Sequence, residues 1–491
     1  MKMKKLILKI VFLCFTFGMM GQNYFNKTYS VSNYQSNTSD ILKLDSNEYL
    51  ITGDDIDSAS NYGISFLKID GLGNTLIKKN VLLKGPRNHD YTPDFVHLIS
   101  PSTFICSSTI TKGSKYAIVI SRHSLATLDT LSTSCYYDTT YDLTVRQCKY
   151  IGNGKLICIG SKFDNAVPAY KTRTLVLKMD TMGNVVWKQE LFPFQTEGTC
   201  IEYNPVTKGY IIAMYNILGP QQACSKIACL DSLGNIMGVS TISASYDVCV
   251  TSVCLTSNNE YVFAGSKSDA LIGPYFAGCL LLIKTDDSVH VIWQKTYGLG
   301  NPNNALCAVK QLPDGSIISC GVYCPDNLLT SNKIHAYYMK TNSNGDSLWS
   351  NQLALSTSGY KPDCFSDVEQ TSDKGFIFSG WPYYNSEMWV VKTDSSGCLW
   401  GNCGIGVKEY VLNDYFNVFP NPATYYINIE MESGFSTDLY LYNSSGINLG
   451  MEKLIDGKCK IDFSNYSSGI YFFKVSRSDG SYIVKRVSVL K

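Results

Sequence analysis

The side chains best suited to chemistry in this chain are few and scattered. Of its five histidines, His89, His97, His123, His290 and His335, only the first two stand close together, with Asp90 and Asp94 between them. Imidazole beside carboxylate is a set that can ligate a metal or carry a proton. The run His89-Asp90-Tyr91-Thr92-Pro93-Asp94 is dense in turn formers and falls where one repeat unit joins the next, so a solvated loop is the reading adopted. Cys224 with Cys229, and Cys320 with Cys324, come nearest to metal-ligand spacing; no histidine adjoins either pair, and His335 follows Cys324 only at a distance. Neither a Gly-x-Ser-x-Gly elbow nor a phosphate-cradling glycine loop occurs. No catalytic residue, metal site or cofactor is therefore assigned, and the chain leans away from being an enzyme.

Thiol count and charge narrow the context. There are 18 cysteines, of which Cys14 lies in an N-terminal apolar run; the remaining odd number leaves at least one free or paired outside the chain. Cys106, Cys158 and Cys320 sit inside apolar strand-like runs and read as small buried hydrophobes. Cys398 and Cys403 are the best local disulfide pair. The formal net charge is +1 with 17% charged residues, which disfavours nucleic acid and anionic membrane surfaces as partners. Tyr is abundant, at 34 residues; it suits strands, and at an exposed site it offers a flat apolar face with a polar tip.

The elements that must position any site come from an internal repeat. A turn, an apolar β run and a glycine recur, as in Asn47-Glu48-Tyr49-Leu50-Ile51-Thr52-Gly53 and Asp314-Gly315-Ser316-Ile317-Ile318-Ser319-Cys320-Gly321. Further copies end at Gly160, Gly265 and Gly380, and two weaker ones carry Ser108 and Met214 at the glycine position. A second phrase follows in most units: an apolar run, an Asp-like residue, a Gly turn, then an apolar residue or Trp, as in Lys178 to Trp187. Each unit of about 54 residues thus reads as two hairpins with Asp/Asn/Gly turns. Seven such four-stranded units predict an all-β fold, a seven-bladed β-propeller over residues 22–408. Asn23 to Ser30 resembles Trp293 to Gly298, which predicts that the N-terminal strand completes the last blade. A β-sandwich array or a smaller blade count are the alternatives.

The Asp-turns loosely resemble the Asp-box of sialidase-type propellers, but Asp-to-Gly is three positions rather than two and the Trp comes later. They also resemble the Gly/Trp docking turns of pyrroloquinoline-quinone propellers. Both resemblances imply structural turns, so Asp180, Asp231 and Asp394 are read as turn caps. A sialidase would further need an arginine triad, and arginine is scarce in the body: Arg87, Arg122, Arg146 and Arg173.

Geometry gives a better lead. In a four-stranded blade the second loop and the blade-to-blade connection share one rim, and these segments are long and variable here: Asp54 to Tyr62, Lys162 to Lys171, Ser266 to Phe276, Val322 to Lys333 and Trp381 to Glu387. They carry Tyr62, Tyr170, Tyr275, Phe276, Tyr323, Trp381, Tyr383 and Tyr384, aromatics suited to stacking on sugars or to protein contacts.

The two ends of the chain are of another kind. Residues 1–21 read as a signal peptide: Lys2, Lys4, Lys5 and Lys9 precede the apolar run Ile10 to Met20, which is too short for an ordinary membrane span. No later segment is long and apolar enough for a transmembrane helix. Residues 412–491 leave the repeat and form short alternating strands, sized for a small Ig-like β-sandwich. Pro420-Asn421-Pro422, Gly469-Ile470-Tyr471 and the terminal strand with Lys485 resemble the type A C-terminal sorting domain of the type IX secretion system. That resemblance implies a Bacteroidetes-type host, the type IX machinery as a partner, and a protein secreted or attached at the outer membrane after export.

Together these features predict a secreted or cell-surface propeller that binds an extracellular protein or glycan through its loop-rich rim. A polysaccharide-acting hydrolase or lyase, and a structural surface component, are the alternatives.

Overall fold

The computed structural model describes residues 24–31, 35–44, 47–56, 62–82, 95–112, 115–164, 171–192, 195–219, 222–272, 275–301, 304–324, 334–355, 363–382, 387–399, 416–431, 437–443, 448–476 and 482–491. All regular structure among them is β, and none of it is a helix able to cross a membrane. Two compact units divide between Asn402 and Cys403. The expected signal peptide, residues 1–21, lies outside the described residues.

The first unit is propeller-like, and its described residues form seven four-stranded antiparallel sheets. Six run in sequence order, over residues 35–82, 96–136, 142–191, 196–242, 247–301 and 305–353. The seventh takes three strands from residues 363–393 and its outer strand from Phe25–Tyr29, which pairs with Met388–Thr393. The strand expected from the likeness of Asn23–Ser30 to Trp293–Gly298 is therefore found there.

Each sheet opens with a leading strand: Gln35–Lys43, Val96–Ser100, Asp142–Tyr150, Thr196–Tyr203, Asp247–Leu255, Ala305–Gln311 and Asp363–Gln370. Every leading strand touches the sheet before it, and the first, Gln35–Lys43, touches the seventh sheet. The core lies between sheets, with clusters such as Ile211, Val250, Phe263 and Leu281 spanning the fourth and fifth. Apolar residues fill both faces of the middle strands because each sheet is covered on both sides.

The repeated glycine has a steric cause. It pairs with the leading strand at the residue before a β-bulge: Thr38 opposite Gly53, Val145 opposite Gly160, Val250 opposite Gly265, Leu306 opposite Gly321 and Phe365 opposite Gly380. The bulge turns a carbonyl toward this position, so a Cβ at Gly160 would overlap the Thr144 oxygen and one at Gly321 the Ala305 oxygen. In the fourth unit Met214 takes the glycine position, and its partner across the ladder is Gly198. The glycine has moved to the other strand of the same pair.

The second phrase also finds its cause. Asp231 Oδ1 accepts the backbone N–H groups of Leu233 and Asn235 at 2.8 and 2.9 Å, and Oδ2 accepts from the Asn235 amide at 2.8 Å. These bonds, the Asn235 side chain's foremost, hold its carboxyl below the usual range. Asp180 and Asp394 cap their turns alike, and Asn342 does so in the sixth sheet. The turn glycines Gly234, Gly345 and Gly397 have φ of 85°, 78° and 76°, and the rings of Trp187, Trp293 and Trp349 from the preceding sheet lie against them. At Gly73 the ring is instead Phe25 or Tyr29, and Tyr29 Oη donates to the Gly73 oxygen at 2.8 Å. Tyr297 Oη makes the same bond to Gly345 at 2.6 Å.

The second unit holds a three-stranded sheet, Phe416–Phe419, Tyr426–Met431 and Lys458–Asp462, and a four-stranded sheet of Asn448–Leu454, Thr437–Asn443, Gly469–Ser476 and Tyr482–Val489. Ile427 and Ile429 of one share a core with Leu439, Phe473 and Val487 of the other.

Candidate functional site

Within each sheet the strands alternate in direction. The hairpin between the second and third strands and the start of the leading strand therefore fall at one end, and the tight turns at the other. The leading strands carry polar side chains toward both ends.

At the hairpin end, Arg146 is the bulged residue of its strand and lies 3.7 Å from Glu197 on the next leading strand. Glu197 is the cross-strand partner of Tyr215, whose hydroxyl donates to Asp247 Oδ1 at 2.8 Å on the leading strand beyond. Three successive sheets thus contribute to one half-buried cluster. Burial pushes the Asp247 carboxyl up, against the opposing hydrogen bond from Tyr215. Burial, with Asp247 adding, pushes the neighbouring Cys249 thiol up to about 12, so it is no nucleophile at neutral pH. A guanidinium, two carboxyls and a phenol together can bind hydroxyl- or carboxylate-bearing groups.

At the turn end, seven residues occupy one register of the leading strands: Leu42, His97, Lys149, Glu202, Cys254, Lys310 and Glu369. Lys149 pairs with Glu202 at 3.1 Å, and Lys310 with Glu369 at 2.7 Å and Asp367 at 3.0 Å. A cavity of about 310 Å³ opens here, lined by Lys149, Glu202, Ser252, Cys254, Lys310 and Gln311 among others. These ammonium groups are matched to carboxylates of the neighbouring sheet, so they join sheets.

Tyr62 begins a strand opposite Ile56, and Tyr275 and Phe276 begin another opposite Ile272 and Leu271, all at the hairpin end. Trp381 stands there too, one residue from the end of Phe376–Pro382. Tyr170, Tyr383 and Tyr384 lie outside the described residues. Tyr323 is buried, at 8% exposure, against Gly298 and 5.3 Å from the Tyr337 ring. It belongs to the core because Gly298 leaves room for its ring.

The segment 266–276 expected as a long loop is instead strand, Tyr261–Ile272 and Tyr275–Thr285, because the ladder runs on past a register shift. His97, expected in a connection, lies in Val96–Ser100 with Nε2 on the Cys148 carbonyl at 2.5 Å. His89, Asp90 and Asp94 lie outside the described residues. Among those described, no group of three or more His, Cys, Asp or Glu could hold a metal. Cys106, Cys158 and Cys320 are buried free thiols. Cys398 is disulfide-bonded, and its expected partner Cys403 lies outside the described residues.

Sequence reasoning missed Arg146, Glu197, Tyr215 and Asp247 as a group. For the turn-end register a signal exists: its residue stands eleven positions before the repeated glycine or its substitute in six units and twelve in the fourth.

In the second unit, Asn421 donates to the Arg486 carbonyl at 3.2 Å and accepts the Ser488 N–H at 2.9 Å. Pro420 and Pro422 flank it in an exposed turn, and Ala423 follows as a bridge to Val489. Tyr471 is buried with its hydroxyl on Ser467 at 2.8 Å; Gly469 begins its strand, and Lys485 pairs with Phe473.

Residues 417–489 match the family described as the secretion system C-terminal sorting domain. The chain therefore carries a type IX sorting domain, which marks it for export to the cell surface or beyond and for contact with the type IX machinery. No curated protein matches the chain. Among solved structures, Sqt1 from Chaetomium thermophilum is similar at TM-score 0.41 and 9% identity, covering 75% of this chain and 100% of that one. Acylaminoacyl peptidase from Pyrococcus horikoshii is similar at TM-score 0.41 and 12% identity, covering 82% of this chain and 59% of that one.

Proposed function

We propose that the chain is an exported, seven-bladed β-propeller that binds an extracellular glycan or protein at the hairpin end of its sheets. The seven sheets are read as blades over residues 22–408, freed of a signal peptide at 1–21. Residues 412–491 are read as a small Ig-like sandwich that serves sorting.

The observation that carries the binding reading is the cluster of Arg146, Glu197, Tyr215 and Asp247, drawn from three sheets to the end where Tyr62, Tyr275, Phe276 and Trp381 stand. Polar groups at the same end of the sheets as aromatic residues suit a sugar, which offers hydroxyls at its edge and an apolar face. Hairpins on a rigid scaffold can vary without disturbing the ring.

The test is a glycan array and a pull-down with the mature chain, repeated with Arg146→Ala and Trp381→Ala. Loss of a captured ligand in both variants, with unfolding midpoints kept, supports the reading. Capture that survives both variants would refute this location.

The raised Asp247 carboxyl beside Tyr215 favours one second reading, a polysaccharide hydrolase or lyase. Turnover of a polysaccharide that Asp247→Asn abolishes, without loss of binding, would replace the first reading by the second.

A further inference from the structure

Cys148 and Cys158 stand directly opposite each other on the first two strands of the third sheet. Opposed residues of an antiparallel pair have Cα atoms about 4.5–5.5 Å apart, within the span of about 4.4–6.8 Å that a disulfide bridges. Both side chains are buried, and their sulfurs are 2.7 Å apart. Non-bonded heavy atoms rest about 3.5–4.0 Å apart, so these two sulfurs are well inside contact and close to bonding range.

A second buried pair serves as comparison. Cys307 and Cys364, on leading strands of adjacent sheets, have sulfurs 3.8 Å apart, which is ordinary contact. The chain is marked for export, away from the reducing cytosol, and already carries a disulfide at Cys398.

We propose that Cys148 and Cys158 are oxidised to a cross-strand disulfide during export, fixing the leading strand of the third sheet to its neighbour. The oxidant is an external disulfide, and the step is thiol–disulfide exchange. One cysteine thiolate attacks a sulfur of the oxidant, forming a mixed disulfide and releasing the first thiol. The second cysteine sulfur then displaces the remaining half of the oxidant. One S–S bond forms within the chain, the oxidant is reduced to two thiols, and the two cysteine protons pass to them.

The timing follows from burial. Desolvation, with the contact to Cys148, pushes the Cys158 thiol well up, so thiolate is scarce once the sheets have closed. The bond must form before the third sheet is covered, and afterwards it is hidden from reductant.

The test uses the full chain exported by a host with a type IX system. Protein is collected outside the cell, unfolded in denaturant without reductant, alkylated, digested with trypsin and weighed. The expected product is the peptide Gln147–Lys149 joined to Leu156–Lys162, two hydrogens lighter than the separate peptides together. Recovery of both cysteines in alkylated form, or of either joined to another cysteine, overturns the proposal. A companion sample refolded with reductant throughout should yield both alkylated and unfold at lower urea; equal midpoints would count against any stabilising role.

Discussion

The backbone N–H of Ile41 donates to the buried carboxylate of Asp367 at 3.2 Å, joining the first sheet to the seventh across 326 residues. The position just past the bulge does this at several junctions. Asp40 accepts from Phe95 and Val96 at 2.7 and 2.9 Å, Gln147 accepts from Ile201, and Ser252 accepts from Val309 at 3.3 Å. A hydroxyl does the same at two others, Thr109 for Val145 and Ser225 for Val250. The bulge that forces glycine on one strand thus aims the next side chain at the neighbouring sheet.

Asp367→Ala should therefore cost much more than loss of one contact. It strands the Ile41 N–H and removes a partner of Lys310, which still faces Glu369. Leaving a buried donor without its acceptor costs about 1–3 kcal/mol. Urea unfolding should show that loss, while Asp129→Ala, in an exposed pair with Lys79, leaves the midpoint unchanged. Equal effects of the two variants would mean that the junction does not hold the first and seventh sheets together.

Gly321→Ala tests the bulge. Its added Cβ meets the Ala305 carbonyl, a backbone atom that cannot swing aside. Overpacking of this kind costs about 1–3 kcal/mol. Gly219→Ala, where nothing lies within 4 Å of the added atom, should be neutral or slightly stabilising. A neutral Gly321→Ala would disprove the steric account of the repeat.

Asp231, Gly234 and Asn235 interact within five residues, so their phrase is readable locally and the turns come out as expected. Short continuous runs such as Ile317 to Cys320, bounded by turn residues, likewise mark strands buried on both faces. Arg146 and Glu197, or Tyr215 and Asp247, meet only because successive sheets stand side by side, and no local pattern encodes that. Tyr323 misled for the same reason: it ends a strand, yet Gly298 of the preceding sheet makes room for it in the core.

Removing the Tyr29 hydroxyl should loosen the seventh sheet. Tyr29→Phe keeps the buried ring and deletes the bond to the Gly73 oxygen, which Lys27 also reaches at 3.0 Å. A loss of about 1 kcal/mol is expected. Deletion of residues 24–30 should do far more, since it strips the outer strand from Met388–Thr393. Proteolysis of the two variants reads the difference, and a deletion no more sensitive than Tyr29→Phe would contradict a structural role for this strand.

His123 should make stability fall in mild acid. Its ring stacks on Phe104 at 5.1 Å and meets Phe66 edge-on at 4.7 Å. Burial, with the Lys79 cation adding, lowers its pKa to about 4. The unfolded chain, titrating near about 6.5, binds more protons than the folded one between these values, so stability is full above that upper value and declines as pH falls toward about 4. The decline amounts to roughly 3 kcal/mol. His123→Leu should flatten that portion of the urea midpoint against pH; an unchanged slope would show that the imidazole is not held neutral.

Asn421→Ala should weaken export while sparing the first unit. The Asn421 amide clamps the last strand at Arg486 and Ser488, and Ala423 continues that contact through hydrogen bonds of 2.8 Å with Ser488 and Leu490. Without the side chain, Ser488 loses an acceptor at the edge of Tyr482–Val489, at a cost of about 1 kcal/mol. Asn421→Asp keeps the acceptor for Ser488 but cannot donate to Arg486, so its defect should be smaller. Cell fractionation reads the exported share of each variant. Arg486→Ala keeps the carbonyl that Asn421 uses and should export normally, whereas equal defects in all three would point to direct reading of surface side chains instead of the clamp.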